Sequence, residues 1–196
     1  MEFTRLSIEG AFVATPAIHA DSRGHFFEWF KAPLFAEAVG HDLSLAQANC
    51  SVSARGTLRG LHFADVPPGQ AKYVTCLAGN VLDVIVDLRV GSPTFGTWES
   101  VELSSSQPRM VYLAEGLGHG FVARADASTV VYLCSTAYNP AAEHEVDPFD
   151  PDLGIDWGIT RDEADLSAKD AAAPSVKAAL AAGLLPEFAS CQSLFG

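Results

Sequence analysis

The feature that most constrains the fold is a series of short apolar segments that begins after Ala46 and ends at Tyr138. Gly, Pro, Asn or Ser residues separate these segments, which are rich in Val, Leu, Phe and Tyr. In chain order they are QANCSVS, TLRGLHF, AKYVTCLAGN, VLDVIVDLRVG, TWESVELS, RMVYLAEGLGHGFVAR and STVVYLCSTAY. Short strands at this spacing are typical of an antiparallel sandwich or barrel. The sequence therefore predicts a mainly β fold with about seven or eight strands.

The segment VLDVIVDLR has the clearest strand periodicity. Its even-numbered residues, Leu82 to Leu88, are all apolar, whereas Asp83 and Asp87 occupy odd positions. Successive side chains of a strand point to opposite faces, so the apolar set should face a core. We expect the face that carries the aspartates to be wet, or its charges to be paired.

Two helices are predicted outside the strands. Residues 31–39, KAPLFAEAV, have helical composition and end before Gly40. Near the C-terminus, SVKAALAA follows Pro174 and is expected to end at Gly183. Gly is the preferred residue just beyond a helix, and Pro is favoured close to its start.

Length and composition suit a chain with one core. Of its 196 residues, 48% are hydrophobic and 18% are charged. A chain of this size can bury the core of one domain. We expect residues 1–196 to form that domain, with a barrel core at about 45–140 and a C-terminal loop and helices at about 141–196.

Charge and cysteine content indicate which binding partners and which cellular location to expect. The formal net charge of −12 should repel nucleic acid and anionic membranes. No apolar run approaches the roughly 20 residues that span a bilayer, and MEFTRLSIEG does not resemble a signal peptide. The four cysteines contain no CxxC pair and are expected to be reduced and mostly buried: Cys50, Cys76, Cys134 and Cys191. We expect a cytoplasmic protein that binds neither nucleic acid nor membranes.

Ionisable residues interrupt the apolar segments. His62 lies in TLRGLHF, Lys72 begins the next segment, and Tyr132 lies in STVVYLCSTAY. If these strands line one cavity, an imidazole base could remove a proton beside a ketone, and an ammonium group could stabilise the enolate. Epimerisation also needs an acid on the opposite face, for which Tyr132 is a candidate. The structural alternative is a core histidine with one hydrogen bond and a core tyrosine with a tethered hydroxyl.

The spacing of Arg59 and His62 predicts an irregular strand. The two residues are an odd number of positions apart, so a regular strand would send them to opposite faces. If both serve one pocket, the alternation must break between them. Gly60 would allow this break as a bulge or a kink.

Anion and metal binding can also be judged from residue types. An anion could be bound by Arg23, Arg59 and Lys169. Arginine suits phosphate better than lysine does, because its guanidinium group can form two parallel hydrogen bonds to phosphate oxygens. The six histidines contain no HxH or HxxxH pair, so a metal site is not expected.

Several ordered motifs together resemble one enzyme family. RGTLRGLHF, PPGQAKYVTCLAGNVLDVIVDLRVGSPTFG, VYLAEGLGHGF, STVVYLCSTAYNPAAEH, DPDLGIDW and LSAKDAAAP resemble the dTDP-4-dehydrorhamnose 3,5-epimerase family of cupin-type sugar-nucleotide epimerases. The resemblance runs from about Ile8 to Pro186. It implies a cupin jelly-roll barrel without metal or cofactor, with short C-terminal helices and extra N-terminal strands exchanged in a homodimer.

The resemblance also implies a reaction. The substrate would be dTDP-4-dehydro-6-deoxy-α-D-glucose, inverted at C3 and C5 to give dTDP-4-dehydro-β-L-rhamnose. His62 resembles the general base, Asp170 the carboxylate that orients it, Lys72 the group that stabilises the enolate oxygen, and Tyr132 the proton donor. Arg59 and His62 are then expected inside the barrel because its interior is a binding cavity.

Further positions resemble the ligand contacts of the family. Tyr138 matches an aromatic ring that stacks on thymine, and Phe26 matches a residue that shapes the base pocket. Glu143 matches a further ligand-contact position. The positions that match contacts to the diphosphate or the sugar are Arg23, Glu28, Gln47, Asn49, Arg59, His119 and Lys169.

Three other functions remain open from the sequence. The nearest is a single-centre epimerase of an antibiotic deoxysugar pathway, although the presence of both His62 and Tyr132 favours double epimerisation. A non-catalytic cupin that only binds a nucleotide sugar would have no need of His62, Lys72 and Asp170. A metal-dependent cupin oxygenase would require a ligand cluster.

Overall fold

The computed structural model describes residues 1–194, in which strands form two facing sheets and a separate hairpin. The strands are β1 (Glu2–Arg5), β2 (Ala11–Thr15), β3 (His19–Asp21), β4 (Gly24–Phe26), β5 (Gln47–Ser53), β6 (Thr57–Ala64), β7 (Lys72–Ala78), β8 (Asn80–Asp87), β9 (Trp98–Ser104), β10 (Met110–Leu113), β11 (Leu117–Ala123), β12 (Ser128–Cys134), β13 (Glu143–Glu145) and β14 (Asp165–Leu166). The helices are α1 (Ala32–Val39), α2 (Ala168–Ala171), α3 (Val176–Ala181) and α4 (Phe188–Gln192), with a 3-10 turn at Arg161–Glu163.

The two sheets pack face to face as a jelly-roll barrel. The first sheet has the order β1-β2-β10-β7-β12-β5, and the second has the order β13-β6-β11-β8-β9, with the short β14 added beside β6. Among the strand pairs of residues 1–194, only that of β14 with β6 is parallel. Apolar side chains from both sheets, such as Val74, Ile85 and Phe121, form the core between them. The fold is therefore mainly β and of the cupin type, as the sequence predicts.

Two further clusters cover the outer faces of the sheets. Helix α1 places Phe35 against Tyr73 and Tyr112 on the first sheet. The C-terminal segment packs Trp157 and Val176 on the second sheet. The outer face of each sheet is therefore partly shielded from solvent.

Strand β8 shows the consequence of this covering. Its even-numbered residues pack beneath the C-terminal segment, and Ile85 faces the core between the sheets. Asp83 and Asp87 are fully buried, and each is paired, Asp83 with His119 and Asp87 with Arg89. The expectation that this face is exposed to solvent is therefore wrong, and the expectation that its aspartates are paired is confirmed.

The two helices that the sequence places, α1 and α3, lie where it predicts them. Helix α1 ends at Gly40, which has a φ of 101°, and α3 is preceded by Ser175 as its N-cap. The segment RMVYLAEGLGHGFVAR contains two strands, β10 and β11, because the chain turns at Gly116, where φ is 85°. None of the helices in residues 1–194 is long and apolar enough to cross a bilayer.

The predicted irregularity at Gly60 is confirmed. Between β6 and β11, His62 pairs with His119 whereas Arg59 pairs with Phe121, so the register shifts by one residue. Gly60 has a φ of 127°, and a Cβ there would lie 2.6 Å from the Cα of Gly120. Arg59 and His62 consequently border the same cavity.

Candidate active site

A cavity of about 330 Å³ opens between the two sheets. Strands β5, β7 and β12 of the first sheet and β6, β11 and β13 of the second contribute side chains to it. The sequence-predicted site residues that line it are Gln47, Asn49, Arg59, His62, Lys72, His119, Tyr132, Tyr138, Glu143, Lys169 and Asp170. The residues on that list lie up to about 120 positions apart in the chain, and the barrel gathers them at one end.

His62 and Asp170 form a short hydrogen bond in the wall of the cavity. The Nε2 atom of His62 lies 2.6 Å from Oδ1 of Asp170. The other oxygen, Oδ2, accepts a hydrogen bond of 2.9 Å from the hydroxyl of Ser167. A carboxylate only accepts, so the Nε2 atom carries the proton and Nδ1 is left as the basic nitrogen of the neutral ring.

Asp170 is held in its charged form. Burial alone would raise the pKa of its carboxyl group, but hydrogen bonds from His62 and Ser167 outweigh burial, and the pKa is lowered. A buried carboxylate with two hydrogen-bonded oxygens can keep an imidazole oriented and can stabilise the imidazolium that forms when the ring accepts a proton.

The opposite wall carries a polar stripe across three strands. Tyr132 of β12 pairs with Asn49 of β5, and Cys134 pairs with both Gln47 of β5 and Lys72 of β7. Side chains two apart on a strand, or opposite each other across a pair, share a face of the sheet. The stripe therefore faces the second sheet, where His62 lies.

The pKa values of Lys72 and Tyr132 are shifted in opposite directions by their burial in this wall. Burial lowers the pKa of the Lys72 ammonium, and the carboxylate of Glu143 works against that shift. Burial raises the pKa of the Tyr132 phenol, and Cys134 and Glu143 add to the rise. The phenol therefore keeps its proton at neutral pH, as a proton donor must.

A second histidine–carboxylate pair lies deeper in the barrel. His119 of β11 contacts Oδ2 of Asp83 through Nε2 at 2.8 Å, and both side chains are buried. The sequence placed Asp83 on a face that was wet or paired and did not connect it to the site. The pairing of β8 with β11 brings the two residues together.

The mouth of the cavity is cationic and exposed. Arg59 donates from Nε to the hydroxyl of Ser53 at 3.1 Å, but its side chain is exposed rather than inside the barrel. The expectation that Arg59 is buried is wrong, because the register shift at Gly60 sends it to the rim. Lys169 pairs with Glu145 at 2.8 Å, and Tyr138 is 57% exposed.

Three predicted site residues lie away from the cavity. Arg23 pairs with Asp21 at 2.6 Å and is 88% exposed. Phe26, at the end of the β3–β4 hairpin, is 64% exposed. Glu28 pairs with Lys31 at 3.3 Å. Within one chain, the structure does not bring Arg23, Phe26 and Glu28 to the other site residues.

Four residues that line the cavity were not predicted: Ser51, Gln70, Phe121 and Ser167. Ser51 follows Gln47 and Asn49 at strand spacing, so alternation along β5 contained a signal for it. Ser167 stands three residues before Asp170, the spacing of a side-chain cap at a helix start. Among residues 1–194, no three His, Cys, Asp or Glu side chains are grouped so that they could hold a metal ion.

Comparison with known proteins places the chain in a family. The family model described as dTDP-4-dehydrorhamnose 3,5-epimerase matches residues 5–178. A dTDP-4-dehydrorhamnose 3,5-epimerase from Mycolicibacterium smegmatis is 56% identical over 193 residues, which are 98% of this chain and 94% of that protein.

Solved structures give the same result for the fold. An epimerase from Mycobacterium tuberculosis superimposes with a TM-score of 0.97 at 52% identity, covering 100% of this chain and 98% of that one. A 3'-monoepimerase from Streptomyces bikiniensis, solved in complex with dTDP-quinovose, has a TM-score of 0.91 at 50% identity, covering 96% and 94%. With the matched residues spanning nearly its whole length, the chain belongs to the dTDP-4-dehydrorhamnose 3,5-epimerase family.

Proposed function

We propose that this chain is an isomerase that converts dTDP-4-dehydro-6-deoxy-α-D-glucose to dTDP-4-dehydro-β-L-rhamnose by inverting C3 and C5. The observation that carries the proposal is the placement of a histidine base and a tyrosine acid on facing walls of one cavity, with a lysine beside the acid. Inversion at a carbon requires that the proton leave from one face and return to the other, which two facing walls allow.

The first step is removal of a proton next to the C4 ketone. Nδ1 of His62 takes the proton while Nε2 remains hydrogen-bonded to Asp170 at 2.6 Å. The C–H electron pair moves into the C3–C4 or C4–C5 bond, and the carbonyl becomes an enolate. Lys72 supplies the positive charge that stabilises the enolate oxygen.

The second step returns a proton from the other side. Tyr132 gives its phenolic proton to the carbon as the enolate collapses to the ketone, and the configuration inverts. The resulting phenolate is then reprotonated, and His62 releases its proton to solvent. The same pair of residues serves C3 and C5 in turn if the sugar presents each carbon to His62.

The remaining cavity residues are proposed to bind the nucleotide sugar. Arg59, Lys169 and His119 would contact the diphosphate or the sugar, and the exposed ring of Tyr138 would stack on thymine. Gln47, Asn49 and Glu143 would complete the ligand contacts. Their common place in the cavity supports these roles.

We further propose that the active form is a homodimer. Arg23, Phe26 and Glu28 lie outside the cavity of their own chain, so they would serve the cavity of a second copy through exchange of N-terminal strands. Exposed apolar side chains on the first sheet, including Val52 and Leu77, support an interface there.

The product decides between this function and the alternatives. The test is incubation with dTDP-4-dehydro-6-deoxyglucose, reduction of the product by a 4-ketoreductase, and NMR assignment of each ring carbon. Inversion at both C3 and C5 is expected. Inversion at only one carbon would identify a single-centre epimerase, an alternative favoured by the 50% identity to a 3'-monoepimerase. Unchanged substrate would identify a nucleotide-sugar-binding protein.

A further inference from the structure

The hydroxyl of Ser167 makes two contacts with one residue of the site. It donates to Oδ2 of Asp170 at 2.9 Å, and it accepts from the backbone N–H of Asp170 at 3.0 Å. Ser167 is the N-cap of α2, the short helix that carries both Lys169 and Asp170. One hydroxyl therefore contacts both the start of this helix and its carboxylate, which also accepts a hydrogen bond from the backbone of Gly60.

The carboxylate needs such a constraint because it is buried and has two oxygens that could turn toward His62. Asp170 is only 3% exposed, so it cannot fill its hydrogen-bonding capacity with bulk water. The bond from Ser167 occupies Oδ2 and leaves Oδ1 for Nε2 of His62. The result is a chain of hydrogen bonds from Ser167 through Asp170 to His62.

We propose that Ser167 is a positioning residue that acts on the base through Asp170. The proposal rests on the proposed function, in which His62 removes the substrate proton. In this role Ser167 acts on the reacting atoms through Asp170 and His62. Its contribution is to hold the carboxylate in the rotation that keeps Nδ1 of His62 aimed at the sugar.

The chain contains a matched control in Ser175. Ser175 caps α3 with φ and ψ of −64° and 157°, and Ser167 caps α2 with −64° and 158°. Ser175 accepts from the N–H of Ala178 at 3.2 Å, as Ser167 accepts from Asp170. Residue 178 has no side-chain carboxylate, so loss of Ser175 removes a cap without freeing a catalytic group.

Steady-state kinetics of Ser167→Ala and Ser175→Ala test the proposal. Losing a hydrogen bond to a charged group should lower kcat of Ser167→Ala roughly tenfold while KM changes little. Ser175→Ala should keep the wild-type kcat, and Ser167→Thr, which retains the hydroxyl, should recover most of the loss. Equal kcat values for Ser167→Ala and Ser175→Ala would overturn the proposal, as would a rise in KM without a change in kcat.

A second measurement is independent of turnover. In ¹⁵N-labelled protein, the Nε2 proton of His62 should give a downfield resonance that persists in Ser175→Ala and broadens by faster solvent exchange in Ser167→Ala. An unchanged resonance in Ser167→Ala would contradict the role of Ser167. If the wild-type protein gave this resonance but no turnover, the proposed function would fail while the role of Ser167 stood.

Discussion

At the scale of single residues, burial shifts the pKa values of Lys72 and Tyr132, the two groups to which the proposed mechanism gives charge stabilisation and proton donation. It lowers the pKa of Lys72 and raises that of Tyr132. The phenol consequently stays protonated across the neutral range, whereas the lysine loses its charge at a lower pH than an exposed lysine would. The charge on Lys72, rather than the proton on Tyr132, should therefore limit activity at alkaline pH.

This difference predicts the alkaline limb of the pH profile. In the proposed mechanism Lys72 acts in its protonated form, so a lowered pKa of Lys72 should move the loss of kcat/KM down in pH from the usual lysine range. Glu143 opposes that shift, so Glu143→Gln should move the limb lower still. Glu145→Gln is the control, because Glu145 pairs with Lys169 instead. If the alkaline limb of the kcat/KM profile of Glu143→Gln stayed at the wild-type pH, or moved to higher pH, the account would be contradicted.

Removal of the phenolic hydroxyl should separate proton loss from inversion. Tyr132→Phe should still exchange the substrate proton with solvent through His62, but product formation should fall by about 10²–10⁴-fold, the usual contribution of a general acid. Exchange and product formation are both measured by NMR in D₂O. Full product formation by Tyr132→Phe would show that another group is the acid.

At the scale of elements, β6 determines the shape of the site. The strand segments and the break at Gly60 could be predicted because they depend on local periodicity and on residue spacing. The contact between His62 and Asp170 spans 108 positions, and no periodicity relates residues so distant. Only the family resemblance suggested it. The burial of both faces of β8 was missed because the covering segment lies far along the chain and has no strand pattern.

The break in β6 predicts a large effect of a single methyl group. Gly60→Ala would place Cβ 2.6 Å from Cα of Gly120 and 2.8 Å from the carbonyl oxygen of His119. Both are backbone atoms, so the strands must separate, and the free energy of unfolding should fall by about 2–5 kcal/mol in urea titrations.

Gly40→Ala is the matched control for that change. Gly40 also has a positive φ, 101°, but a Cβ there would meet no atom within 4 Å. For Gly40→Ala the free energy of unfolding should fall only by the cost of backbone strain, about 1–2 kcal/mol. Equal destabilisation by the two substitutions would show that β6 and β11 are not as close as the structure places them.

At the scale of the whole molecule, one chain leaves part of the predicted site unassembled. Arg23 is 88% exposed and lies on a hairpin outside the cavity. In a dimer with exchanged N-terminal strands, each cavity would combine the catalytic residues of one copy with the hairpin of the other. Two inactive variants should then be able to complement each other.

Complementation tests this exchange directly. His62→Ala and Arg23→Glu should each be impaired alone. In a dimer that contains one copy of each, one cavity would have its own His62 and the intact hairpin of the other copy. Equal co-expression should therefore recover about one quarter of wild-type activity per chain. No recovery in hybrids that have been isolated as dimers would place Arg23 in the cavity of its own chain, or in none.

The most direct test of the central claim is the deuterium content of the product formed in D₂O. If His62 removes a proton beside the ketone at both centres, the wild-type product should contain one deuterium at C3 and one at C5, and His62→Ala should introduce neither. A product labelled at a single carbon, or label that His62→Ala introduces as fast as the wild type, would contradict the account.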